Sequence, residues 1–135
     1  MTEPRPSVTR FAKAVARAEL ALGGGAHDSD VAQRIAMRLY EALRKLLGPA
    51  GIDVLLARSI VLARRAHPVL GGVVAGPGGT LAGLDDAGLQ GPKLEAGAAA
   101  IIAHFIELLV VLIGEDLAMS LMRSIWPAAA DEEEP

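Results

Sequence analysis

Apolar residues recur at helical spacing in five stretches of the chain, and a Gly or Pro break separates each from the next. Over residues 7–22, Phe11, Val15, Ala18 and Leu22 fall every three or four positions, while Arg10, Lys13 and Arg17 occupy a neighbouring stripe. That alternation predicts an amphipathic helix. Gly23-Gly24-Gly25 stops it, and Asp28, Ser29 or Asp30 offers a side-chain oxygen to cap the next start. The second helix runs to about residue 47. Val31, Ile35, Leu39, Ala42, Leu43 and Leu46 share an arc of ~120°, with Arg34, Arg38, Glu41 and Lys45 outside it. After Gly48-Pro49, a third helix over 52–66 is apolar almost all round apart from Arg58, Arg64 and Arg65, and so is expected deep in the fold. His67-Pro68 closes it, because the residue before a proline is pushed out of helical geometry.

Residues 68–92 hold eight Gly and three Pro in 25 positions, more than a helix connection needs, and read as a loop with a short helical turn after Thr80. A fourth helix spans 93–113, and its 96–113 stretch is apolar except for His104 and Glu107. At 18 residues this stretch reaches the length of a membrane span. Its many alanines gain little from lipid, however, and a central Glu costs up to about 2.5–3.5 kcal/mol on insertion scales. A buried helix of a soluble bundle is the better reading, and a membrane partner is not expected. Gly114 allows a break, Glu115 and Asp116 suit the positive end of a fifth helix, and Leu117, Leu121, Met122 and Ile125 form its apolar stripe. Trp126-Pro127 ends it and leaves 128–135 as an acidic tail. The pattern therefore predicts an all-α compact bundle of four to five helices, with a long Gly/Pro-rich loop between helices 3 and 4. It forms a single domain folded over about 7–127, with 1–6 and 128–135 as flexible tails.

Composition narrows the function more than the fold. Cysteine is absent, which removes disulfides, Cys-ligated zinc, iron–sulfur clusters and a thiol nucleophile. The formal charge of −3 is polarised, with net +5 over residues 1–66 and −8 over 67–135. A chain of this balance lacks a wholesale nucleic-acid footprint, and with four aromatic residues it lacks the stacking platforms of a single-strand binder. Its two halves suit packing against each other or against a second copy. The polar, proline-bearing start at residues 1–7 has no apolar signal-peptide core, so a cytoplasmic location is expected. Ten Arg against three Lys, no Asn and abundant Ala, Leu and Gly suggest a GC-rich, bacterial coding sequence.

Candidate chemistry is sparse. Gly76-Pro77-Gly78-Gly79-Thr80 resembles a phosphate cradle only superficially: it has no lysine for a P-loop, and Leu81 stands where a dinucleotide fingerprint needs Gly. The five serines, at 7, 29, 59, 120 and 124, include none in a nucleophile elbow. His27 and His67 read as loop histidines. His104 and Glu107 are three apart on one helix face, within reach of each other. They form either a polar pair that fixes helix register or a subunit contact, or else the core of a ligand site with the 68–92 segment as lid. Metal ligation is not expected, since a lone pair lacks the three or four ligands a metal wants, and no cofactor is implied. Arg34, Arg38, Arg58, Arg64 and Arg65 are candidates for contacts with an anionic partner, and Trp126 for an anchor closing the last helix.

Ile113-Gly114-Glu115-Asp116-Leu117, then Leu121-Met122-Arg123 and Trp126-Pro127, resembles the C-terminal segment of small uncharacterised all-helical bacterial proteins. Leu56-Ala57-Arg58-Ser59 and Ala66-His67-Pro68 are similar to their middle part. The resemblance covers about a third of the chain and implies a helical fold and a bacterial source. It brings no catalytic residue with it.

No catalytic motif is visible, and the sequence points to a non-enzymatic interaction or regulatory module. Helices 3 and 4 are too apolar to enclose fully in a domain this small, so leftover faces are expected to bind another protein or a second copy as a homodimer. The alternative is a helical bundle that binds a small ligand or a metal at His104 and Glu107, with the 68–92 segment as lid.

Overall fold

In the computed structural model the described residues are 4–23, 29–83 and 92–133. The Asp28 cap, His27 and part of the 68–92 segment lie outside them. Helix α1 (Pro6–Gly23) and helix α2 (Ser29–Leu47) follow the periodicity read from the chain, and α3 (Pro49–Ala66), α4 (Pro92–Ile113) and α5 (Glu115–Ile125) complete the expected five. The protein is all-α. Helix α3 begins three residues earlier than the apolar pattern suggests, because Pro49 supplies the preset φ and the dispensable N–H of a first helical position.

The core is one cluster. Phe11 and Val15 of α1, Leu39 and Leu43 of α2, Ile52, Leu56 and Ile60 of α3, and Ile102, Phe105, Ile106 and Leu109 of α4 are all buried in it. Helix α4 packs principally on α1 and α3. By length and composition it could cross a membrane over Glu95–Ile113, and half of that window is buried within the fold.

Two features depart from the sequence reading. The first is the C-terminal segment, where an acidic tail was expected. Pro127–Glu133 forms a further helix, α6, lying against α1, with Ala129 fully buried. Trp126 leaves helical geometry at φ −127°, ψ 76°, as a residue before proline must. Pro127 is nonetheless well suited to start a new helix, so the Trp-Pro step is a corner and not an end.

The second is the Gly/Pro-rich segment. Its described part is two 3-10 turns, Pro68–Gly72 and Pro77–Gly79, and a two-stranded antiparallel hairpin, β1 (Val74–Ala75) with β2 (Leu81–Ala82), paired Val74 to Ala82 and Ala75 to Leu81. The hairpin is fastened to the bundle. The Gln33 side chain donates to the Gly79 carbonyl at 2.8 Å and accepts from the Leu81 N–H at 2.8 Å. Asp53 accepts the Gly78 N–H at 3.1 Å, and Arg64 donates to the Val73 carbonyl. The Gly76–Thr80 turn is therefore no anion cradle: its Gly76, Gly78 and Thr80 N–H groups are already taken by Thr80, Asp53 and Pro77 oxygens. Gly83 closes the hairpin at φ +85°, and a Cβ there would lie 2.0 Å from the Gly72 carbonyl oxygen. Only glycine fits.

Candidate functional site

Helix α4 carries Ala96, Ala99, Ala100 and Ala103 on the side that faces α1 and the end of α3. Alanine side chains stop short, and the space they leave is a groove of about 380 Å³. Pro4, Thr9 and Lys13 line one side and Ala66 and His67 another, with His104 on the α4 wall. The groove exists because three elements that are distant in sequence meet over small residues.

His104 is the most buried of the polar residues on its wall. It is only 8% exposed, and its Nδ1 is buried with no hydrogen-bond partner. Burial pushes its pKa below the usual 6.5; the Glu107 charge opposes that shift, while His67 and Arg65 reinforce it. The ring is thus held neutral, one nitrogen a donor and the other an acceptor.

Glu107 does not complete a pair with it. The Glu107 carboxylate accepts from the backbone N–H of Arg5 at 3.0 Å and from its Nε at 3.1 Å, and the same guanidinium reaches Glu115 at 2.5 Å. Helical spacing brings Glu107 near His104, but a residue 102 positions away claims its oxygen. This corrects the register-pair reading, and it also anchors residues 4–5, which the sequence placed in a flexible tail. The lid is not seen either: among the described residues none of 69–83 lines the groove, and 84–91 lie outside them. Pro4 borders it instead.

Among the described residues no three His, Asp or Glu come together to hold a metal ion. The arginines singled out in the sequence separate into different duties. Arg34, Arg38 and Trp126 converge on Glu19, a fully buried carboxylate of α1. Trp126 Nε1 donates to Glu19 Oε2 at 2.9 Å, Arg38 Nε lies 2.5 Å from that oxygen, and Arg34 Nε is 3.4 Å from Oε1. Arg34 also donates to the Glu19 carbonyl at 2.7 Å. Trp126 is thereby an anchor between α1 and the α5–α6 corner. Arg64 serves the hairpin, and its Nε is buried without a partner, whereas Arg58 and Arg65 stand exposed on α3.

Glu19 was missed in the sequence, although a signal exists. Four residues after Val15, it interrupts the buried face begun by Val8, Phe11 and Val15. A carboxylate in that register has to find cations inside the fold.

Large apolar side chains remain uncovered where α4 turns into α5. Val111 is 81% exposed, Leu112 59% and Leu117 48%. The chain matches no family model, no curated protein and no solved structure.

Proposed function

We propose that this chain is a non-enzymatic binding module that takes a small ligand in the groove between α1, α3 and α4. The observation that carries the reading is the groove itself, about 380 Å³ of space over small side chains with the neutral imidazole of His104 on its wall. The volume falls within the range of about 300–1,000 Å³ usual for small-molecule sites, which combine apolar walls with a few convergent polar groups. Glu107, the other residue expected at the site, acts through Arg5 to fasten Pro4 at the groove's edge. A small-molecule screen read by the NMR signals of the His104 ring tests this. Hits should shift that ring and should be lost in Ala100→Leu, which fills the groove from a half-buried position. Binding that ignores both would place the site elsewhere and end the reading.

A second reading, self-association as a cytoplasmic homodimer, is favoured by the exposed Val111, Leu112 and Leu117. Clustered apolar side chains of this size lose free energy in water that a second copy or another helical protein would recover by covering them. Arg58 and Arg65, which serve neither the hairpin nor Glu19, are among the exposed cations that could meet an acidic partner. The two readings use different faces and can both hold.

A further inference from the structure

We infer that the groove's ligand is a small monoanion, a carboxylate on a short apolar chain, whose head group meets Lys13, His67 and His104. This inference rests on the groove being the binding site and adds the ligand's charge and shape. Three nitrogen-bearing side chains reach the groove from three elements, Lys13 from α1, His67 from the end of α3 and His104 from α4. No carboxylate is among the described residues that line it. The acid one turn away, Glu107, does not line the groove and is held by the Arg5 guanidinium at 3.1 Å, which it shares with Glu115. Arg65 adds a further positive charge acting on His104. On the lining itself the Lys13 ammonium has no carboxylate opposite it, which favours an anion at that rim.

The donors are held in place. Pro68 forces His67 out of the helix at φ −131°, ψ 80°, while the His67 N–H still caps the Ala63 carbonyl at 2.9 Å, so the imidazole is carried on a fixed corner. His104 sits on the wall of a core helix, and its neutral ring offers Nε2, the nitrogen not sealed inside the fold, to a carboxylate oxygen as an N–H donor that brings no charge of its own. Lys13 is exposed on its helix and supplies the countercharge from the rim. Around these groups most of the wall is the methyl groups of Ala66, Ala99, Ala100 and Ala103, with the Thr9 side chain the one other polar group on it, so an apolar tail fits it better than a polar one. At ~30 Å³ for each water in the liquid, the groove holds roughly a dozen waters, enough for a six-carbon chain with its head group and too little for a nucleotide with its solvent.

The test titrates the full chain with hexanoate, hexanamide and hexylammonium at pH 7.5 and fixed ionic strength, following the His104 ring by NMR and the heat by calorimetry. Hexanoate should bind at least about tenfold more tightly than hexanamide, since charge-assisted hydrogen bonds are roughly twice as strong as neutral ones. Hexylammonium should not compete. Lys13→Gln, a change at an exposed position, should weaken hexanoate about fivefold and leave hexanamide unaltered, as expected for a partly screened charge pair. Ala100→Leu should abolish both. Equal binding of the amide and the carboxylate at the His104 ring, or indifference of hexanoate to Lys13→Gln, overturns the anion assignment and leaves the groove reading standing. If none of the three ligands moves the ring, the carboxylate assignment is overturned, and the groove reading is judged by the wider screen alone.

Discussion

At the scale of single residues, two buried polar side chains behave oppositely. Glu19 is fully enclosed but served by two guanidinium groups and an indole. Breaking such a cluster from the carboxylate side strands the Trp126 N–H and separates the arginines from their counterion. Glu19→Ala should therefore cost about 3–5 kcal/mol, and Trp126→Phe, which removes one donor of several, about 1 kcal/mol or a little more. Urea denaturation of the two variants checks both magnitudes, and equal losses would mean that the indole, not the arginines, holds the carboxylate.

His104 has no such shell. Because burial, with His67 and Arg65, depresses its pKa against the pull of Glu107, the unfolded chain takes up a proton just below pH 6.5 that the folded chain refuses. Stability must fall as pH drops through that interval. Urea midpoints at pH 7.5 and 5.5 should show the loss in the parent protein and a smaller one in His104→Leu. An equally steep decline in the variant would assign the acid sensitivity to other groups. At neutral pH the same substitution removes an unpaired buried nitrogen, so it should be neutral or stabilising, consistent with a residue kept for binding and not for packing.

At the scale of elements, the breaks in the pattern were legible and their consequences were not. Gly114, at φ +89° with open space around it, separates α4 from α5 where the sequence placed the break. Proline is harder to read. Pro68 and Pro127 both expel the preceding residue from the helix, yet one opens a 3-10 turn and the other starts α6. What decides is whether the following residues find a surface to bury against, and Ala128 to Ala130 give little local sign of it. Ala129→Asp places an unpaired charge at a fully buried position and should cost about 3–5 kcal/mol; a thermal melt close to that of the parent would show α6 to be dispensable. The hairpin makes a separate demand. Gly83→Ala should lose about 1–3 kcal/mol through the clash with Gly72. Amide exchange should rise at Gly76, whose N–H is bonded across the turn to Thr80. Unchanged protection there would mean that Gln33 and Asp53 hold the turn unaided.

At the scale of the whole molecule, the exposed Val111, Leu112 and Leu117 bear on association. Sedimentation over a range of concentrations should detect a dimer, and Val111→Lys with Leu112→Glu should return it to monomer while leaving the melt within about 0.5 kcal/mol, as surface changes do. A parent that stays monomeric at high concentration removes that reading.

The candidate site divides along similar lines. His104 stood out in the sequence as one of two polar residues in an apolar stretch, and that much was local. The alanines around it gave no warning, because a methyl group in a sequence does not say whether a neighbour or empty space lies opposite. Helix identity and helix ends were written into the chain because periodicity, glycine and proline act over three or four residues. Glu107 meeting Arg5 across 102 positions, and Glu19 meeting Trp126 across 107, were decided only when α4 and the α5–α6 corner packed on the N-terminal helix. So was the groove, whose Lys13, His67 and His104 come from separate elements. Charge and hydrogen bonding select such partners by distance in space, and the chain fixes that distance only through the packing of its core.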